Sequence, residues 1–447
     1  MISKLLAVFR SKQFHSLLGN LVTASLNVLS FALLVRLLSL EDFGAWVIFI
    51  TTYNILDQVR TGLLQSGVVK FYTGVDVIKA RQVAGAGWYI SLILTVGYIF
   101  LSAIAYFAAY QYVDETWHLF LAWIGAVTLF SLPMNFATWV LQAEYRFDKI
   151  VWIRVAQNGS YLLLIIILWI TDLVSLRNVL IVYSASFVIA SVYCMLKRWT
   201  GIRSIAFHTR QQALELYRFG RMIIGSNVSS SLISYTNNMV ILTMLGQAQV
   251  ALFSIPQKFI EVIEIVLRSF VATAQPTLSA AVNRGDKAAV AAAYCKYTGT
   301  VTLLVVPAII GMLLLTEPLI MILASKEYLG ASAVVRIVLA CAILWPIDRF
   351  NGVTLDMLGM PGINFFKNIS KAVLNVFLAV GFVWLFPDIR AVAFAIVGNV
   401  LYAVILGHYI LRKHLDVPLG MIWQSGWTEL KRLQQTFLGG KKSSADA

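Results

Sequence analysis

Twelve apolar runs dominate this chain, near 14–39, 43–71, 85–111, 117–143, 151–171, 177–197, 219–246, 250–278, 291–316, 331–358, 364–386 and 391–412. Each reaches or exceeds the ~20 residues that a helix needs to cross a hydrocarbon layer. The gaps between them are too short to hold a separate soluble domain. Composition agrees, because 59% of the 447 residues are hydrophobic and 13% charged, where soluble domains carry about 25% charged residues. The expected fold is all-α and integral to the membrane, with twelve transmembrane helices.

The formal charge of +14 raises nucleic acid as a partner, but its placement argues against one. With a cytoplasmic N-terminus, the cytoplasmic side holds Lys4, Arg10, Lys12, Lys70, Lys79, Arg81 and the basic loop from Lys197 to Arg221. The opposite side holds only Arg36, Arg177, Lys326 and Arg390. This is the positive-inside bias, and it predicts cytoplasmic placement of both termini. The basic start and first apolar run resemble a signal peptide. The run continues to Leu38 and leads directly into a second span, so an uncleaved first helix is expected.

Slid against itself by 207 residues, the sequence matches without gaps. Asn20, Thr23, Asn27 and Ser30 fall on Asn227, Ser230, Ser234 and Asn237, both sets stepping along one helix face. Asp57 then falls on Glu264, Asn54 on Glu261 and Thr61 on Arg268. The halves read as parallel six-span pseudo-repeats around a central cavity, an arrangement that places a substrate site near the membrane midplane. Residues 1–197 form the first lobe, 198–218 a basic cytoplasmic linker, 219–412 the second lobe and 413–447 a cytoplasmic tail. A short surface helix is expected over Gln211–Tyr217. An interfacial amphipathic helix is expected in the tail, where Trp423, Trp427, Leu430, Leu433 and Phe437 recur beside Lys431 and Arg432, ahead of disorder from Gly439.

The eighth span carries Lys258, Glu261, Glu264 and Arg268. With Gln257 and Gln275, the last three lie within roughly a 60° stripe. Each ionised group at bilayer depth costs about 2.5–3.5 kcal/mol, so such a stripe cannot face lipid. It faces water or other helices. Lys258 with Glu261 and Glu264 with Arg268 are also spaced as neutralising pairs, so a purely adhesive role between lobes stands beside a cavity role. Span two presents Asn54, Asp57, Gln58, Thr61 and Gln65 on one face with Arg60 about 60° beyond it. Span ten adds Asp348, Arg349 and Asp356.

Short motifs add a family resemblance. Arg36–Gly44, Tyr217-Arg218-Phe219-Gly220, Leu245-Gly246 with Ala251-Leu252-Phe253-Ser254, Gln275–Ser279 and Phe386–Ala393 together resemble the polysaccharide-biosynthesis transporters. That family includes the Wzx-type flippases of lipid-linked oligosaccharides. It lies within the MOP exporter superfamily, which also holds the peptidoglycan-precursor flippase and the MATE exporters. Where many relatives carry an acidic residue late in span seven, this chain has Asn237-Asn238.

The resemblance implies a flippase for undecaprenyl-pyrophosphate-linked oligosaccharide in the bacterial cytoplasmic membrane, serving O-antigen, capsule or exopolysaccharide synthesis. Its partners would be the lipid-linked substrate, membrane lipids, and polymerase and chain-length proteins of the same pathway. A diphosphate head group calls for cations, and Arg60, Lys258, Arg268 and Arg349 are the candidates. Asn27, Asn227, Ser234 and Asn237 are candidates for sugar hydroxyls. Asp57, Glu261, Glu264, Asp348 and Asp356 are candidates for Na⁺ or H⁺ coupling, which the family implies for some relatives. Two rivals stand: a MATE-like exporter of cationic drugs or metabolites, and a membrane glycosyltransferase or polymerase of the same pathway. No enzyme is expected, since the sequence has no glycine-rich phosphate loop, metal-binding His cluster or nucleophile motif. Cys194, Cys295 and Cys341 lack ligand spacing, so neither a metal nor another cofactor is expected.

Overall fold

The computed structural model describes residues 12–108 and 115–439, and every regular element among them is helical. The chain divides into two compact units, Met1–Tyr235 and Thr236–Ala447. Unit one contains α1 (Lys12–Leu37), α2 (Leu40–Tyr72), α3 (Val77–Ala108), α4 (Glu115–Ala143), α5 (Phe147–Ile170), α6 (Leu176–Leu196) and the first part of α7 (Arg210–Leu245). Unit two contains the rest of α7 and then α8 (Gln247–Asn283), α9 (Lys287–Leu314), α10 (Thr316–Leu323), α11 (Ser332–Ala342) and α12 (Trp345–Met357). It ends with α13 (Pro361–Leu385), α14 (Ile389–Arg412) and α15 (Leu419–Gly439).

Among the described residues, each of the twelve expected spans coincides with helix; 109–111, the end of the third, lies outside them. Among the described residues, seven helices are long and apolar enough to cross a membrane, and α11 with α12 makes an eighth if counted as one span. Shorter apolar stretches lie in α1 and α7, at Val22–Leu37 and Leu232–Leu245. The helices α2 and α8, 33 and 37 residues long, are kept off that count by the polar residues they carry. Helix boundaries repeat in the same register as the residues: α2 begins at Leu40 and α8 at Gln247, 207 positions later.

Three local features differ from the sequence reading. Span ten is broken, with α11 and α12 bent by 46°. Pro346 stands in the first turn of α12, where it has no N–H to continue the helix before it. The surface helix expected over Gln211–Tyr217 is instead the first two turns of α7, unbroken through Gly220. That glycine is a contact point and no breaker, because a Cβ there would lie 1.9 Å from the Leu63 carbonyl oxygen. The segment packs into unit one, with Leu216 buried in the cluster of Leu64, Val68, Trp88 and Phe136.

The third difference is the helix α15. Beyond its amphipathic character, it lies against α9 at a paired glycine crossing. A Cβ on Gly299 would sit 2.0 Å from the Ile422 carbonyl oxygen, and one on Gly426 would sit 2.4 Å from the Gly299 carbonyl carbon. Lys296 and Glu429 pin the crossing at 2.8 Å. Trp423 and Trp427 remain on the exposed face. The late proline segment is accounted for as well: Phe386 caps α13, Pro387 follows, and Asp388 caps α14 by accepting from the Arg390 N–H at 2.7 Å. The Arg390 guanidinium and backbone hold the Asp388 carboxyl below the usual carboxylate range.

Substituting Gly299 by Val should therefore lower the thermal midpoint of the purified protein and free α15 for proteolysis, at a cost of about 1–3 kcal/mol. Gly311, in the same helix, has nothing within 4 Å of an added Cβ. Gly311→Ala should leave the midpoint unchanged or raise it. Equal midpoints for Gly299→Val and wild type would refute the crossing.

Candidate functional site

Burial along α8 separates its two faces. Ile255, Phe259, Ile263, Leu267, Ala274 and Leu278 are buried in unit two, while Glu261, Glu264 and Arg268 stand on the unburied side. The apolar face supplies packing energy to the unit, and the ionised face is left to water or protein groups. Along that face Lys258 Nζ meets Glu261 Oε2 at 3.0 Å. Arg268 Nε reaches Glu264 Oε2 only at 3.9 Å and donates to the Glu264 carbonyl at 3.3 Å. Gln257 donates to Asn238 at 3.1 Å. The side chain of Arg268 is 60% exposed.

Unit one handles its charges in the opposite way. Arg60 is fully buried, with its guanidinium pointing from α2 toward α3 and α4. One terminal nitrogen donates to the Thr128 carbonyl at 2.8 Å and to Thr95 Oγ1 at 3.4 Å. The other donates to Ser131 Oγ at 2.8 Å and pairs with Asp57. Nε alone lacks a partner among the described residues. Four of the five N–H donors are thus satisfied, which is what makes a buried guanidinium tolerable. Asp57 also accepts from Asn135 at 3.0 Å and from Thr61 at 3.4 Å. An aromatic block of Trp46, Phe49, Tyr53, Tyr161, Tyr183 and Phe187 packs within the same unit.

In unit two, Asp348 of α12 is held by two lysines of α13. Lys367 Nζ lies 2.9 Å from Oδ1 and Lys371 Nζ 2.6 Å from Oδ2. Asp356 is exposed and accepts from Asn364 at 2.9 Å. Arg349 is exposed and forms no ion pair among the described residues. Further along α13, Asn375 donates to Asn237 at 2.8 Å and accepts from Asn399 at 3.3 Å, all three amides being buried.

The candidates therefore separate into three groups. Lys258, Glu261, Glu264 and Arg268 share the open face of α8, and Arg349 and Asp356 are exposed on α12. Arg60, Asp57, Asp348 and Asn237 are engaged inside their own units. Asn27 and Ser234 are exposed, and Asn227 lies outside the residues whose side chains the structure describes. Buried Arg60 is not placed to meet a ligand directly in this structure; it acts on Asp57. Cys194, Cys295 and Cys341 are buried free thiols.

Sequence reasoning missed Lys367, Lys371, Asn375 and Asn399. The signal was present, since Asn364, Lys367, Lys371 and Asn375 follow one another at spacings of 3, 4 and 4 along an apolar helix. The partners of Arg60 carried no such signal, because serine and threonine hydroxyls on helix faces are common packing residues.

A family model described as "Polysaccharide biosynthesis protein" matches residues 33–333. No curated protein matches the sequence. Among solved structures, the chain is similar to an inward-facing multidrug resistance MATE family transporter of the MOP superfamily, at 17% identity and a TM-score of 0.74, covering 92% of this chain and 96% of that one. It is also similar to the lipid II flippase MurJ in an inward closed conformation, at 12% identity and a TM-score of 0.69, covering 97% and 93%. A third similar structure is a MOP superfamily transporter from Pyrococcus furiosus with a binding pocket of reverse polarity, at 16% identity and a TM-score of 0.62, covering 90% and 94%. At these identities the likeness is one of fold.

Removal of the Arg60 side chain leaves Asp57 without its main counter-charge, so Arg60→Ala should destabilise the protein by about 3–5 kcal/mol. The double variant Arg60→Ala with Asp57→Ala should recover part of that loss, read as a double-mutant cycle in thermal or denaturant unfolding. Strict additivity of the two changes would show that the pair is not coupled.

Proposed function

The chain belongs to the polysaccharide biosynthesis protein family, and from that premise we propose that it is a flippase for undecaprenyl-pyrophosphate-linked oligosaccharide. It would carry repeat units across the bacterial cytoplasmic membrane by alternating access, for O-antigen, capsule or exopolysaccharide. Both termini would be cytoplasmic. Polymerase and chain-length proteins of the same pathway would receive the product.

One observation carries this reading over that of a cation exporter. The accessible charges balance in number, Lys258, Arg268 and Arg349 against Glu261, Glu264 and Asp356, but the two guanidiniums are the loosely held ones: Arg268 meets Glu264 only at 3.9 Å, and Arg349 forms no ion pair among the described residues. The carboxylates Asp57 and Asp348 are each taken up by cations of their own unit. A planar arginine fork with free donors suits diphosphate oxygens and repels an organic cation. Arg268 and Arg349, with Lys258, would therefore meet the head group, and exposed Asn27 and Ser234 would meet sugar hydroxyls. Arg60 would serve by fixing Asp57. Glu264 would be the coupling carboxylate that exchanges its arginine for H⁺ or Na⁺ as the transporter cycles, and Asp57, held in place by Arg60, would take part in the same coupling. Membrane glycosyltransferase or polymerase activity is the less favoured reading.

In proteoliposomes loaded with a labelled polyprenyl-diphosphate glycan, Arg268→Ala and Arg349→Ala should each lower the initial translocation rate at least about tenfold, the equivalent of one lost contact of ~1.4 kcal/mol. In cells, lipid-linked units should accumulate on the cytoplasmic leaflet. Normal surface glycan in both variants would sink the diphosphate assignment. Glu264→Gln and Asp57→Asn should insert normally yet lose the dependence of transport on an ion gradient. Gradient-driven rates equal to wild type in both would remove the coupling role.

A further inference from the structure

We propose that the Lys367–Asp348–Lys371 cluster of unit two is a phosphate seat, in which Lys371 contacts one phosphate group of a polyprenyl-diphosphate lipid. The proposal rests on the flippase reading and adds to it a residue set on α13 that no sequence motif had marked.

Two ammonium groups share one carboxylate, one on each oxygen, at 2.9 Å and 2.6 Å. Lys367 is 2% exposed and also approaches the Asp348 carbonyl at 3.5 Å. Of the charges in this cluster, one positive charge is left uncompensated between α12 and α13 among the described residues. The nearby Asp356, which accepts from Asn364 at 2.9 Å, feels the charge of Lys367 but also that of Arg349, so it brings in a further cation and leaves the surplus unchanged. Counting Arg349, the facing sides of α12 and α13 hold three cations against two carboxylates. An uncompensated ion at bilayer depth is costly enough that an anion should be drawn to it.

Donor geometry then singles out Lys371. An ammonium has three N–H donors and binds phosphate as a compact point charge. Among the described residues Lys371 donates once, to Asp348 Oδ2, and its side chain keeps 19% of its exposure. Two of its donors are left for phosphate oxygens. Lys367 is enclosed and serves as the second counter-charge that holds Asp348 in place. Asp348 in turn limits the surplus to a single charge. That matches one ionised phosphate of a diphosphate diester and avoids a doubly charged trap from which a transported head group could not leave. Beyond the cluster on the same helix face, α13 turns neutral at Asn375, whose amide is tied to Asn237 and Asn399. The cationic seat is therefore bounded along the helix.

The test uses the full-length protein in nanodiscs, with polyprenyl diphosphate, polyprenyl alcohol and inorganic pyrophosphate as probes. Wild type should bind polyprenyl diphosphate and not the alcohol; Lys371→Met should weaken that binding at least tenfold, and Lys371→Arg should retain it within about threefold. Weak binding of inorganic pyrophosphate that Lys371→Met also abolishes would show that the seat reads the phosphate and the lipid tail adds affinity. If wild type binds and Lys371→Met binds equally well, this seat is wrong and the flippase reading stands. If wild type does not bind the diphosphate lipid at all, the flippase reading itself fails. A second measurement does not depend on a variant folding: lysine acetylation mapped by mass spectrometry. Lys371 should be protected by polyprenyl diphosphate and not by the alcohol. Rapid acetylation that the lipid leaves unchanged would mark a neutral amine in place of an anion site, and would overturn the proposal.

Discussion

An ionised side chain at bilayer depth is tolerated only when another group shares its charge, and both units are organised around that cost. Unit one meets it by enclosure, with Arg60 surrounded by Asp57, Ser131, Thr95 and a backbone carbonyl. Unit two meets it on α8 by exposure, keeping an apolar face for packing and turning the ion pairs outward. The consequence is a difference in freedom. A guanidinium with four satisfied donors is rigid, whereas one that holds its partner at 3.9 Å is free to exchange it.

That contrast arises from one position along a duplicated helix. Asp57 and Glu264 correspond in the repeat, and each is followed by an arginine one turn later. In unit one the arginine is three residues on, in unit two four. Steps of three and four place the following side chain about 60° to one side and about 40° to the other side of the acid. The two arginines thus point roughly 100° apart relative to their acids. The first is turned into the unit, where α3 and α4 supply acceptors. The second stays on the open face, and its counterpart on the inner side is Leu267, which is buried. A one-residue change in spacing separates a structural arginine from an accessible one.

Legibility in the sequence followed the range of the interactions involved. All twelve spans and the charged face of α8 were readable, because apolar length and helical periodicity are local properties. The break in span ten was not, although Pro346 was visible, since a proline in a membrane helix kinks in one context and caps in another. Continuity of α7 through Gly220 depends on the Leu63 carbonyl of α2, more than 150 residues earlier in the chain. The enclosure of Arg60 depends on Thr128 and Ser131, 68 and 71 residues away. Lys367 and Lys371 were legible in principle. They lie in the first half of α13, toward the side where lysines are expected for topology, and only the carboxylate of Asp348 between them gives them another meaning.

The glycine crossings extend the same logic to the ends of the units. Gly85 touches the segment after α6 and Gly299 touches α15, each so closely that a Cβ would fall within 2.2 Å of a carbonyl oxygen. In both units, the third helix is thus clasped by the segment that follows the sixth span. An approach that leaves no room for a Cβ fixes each helix against the segment it crosses. In the proposed flippase, charges would change partners while helices keep theirs. The paired glycines of the α9–α15 clasp and the loosely paired ions on α8 meet those two demands in different parts of the same unit.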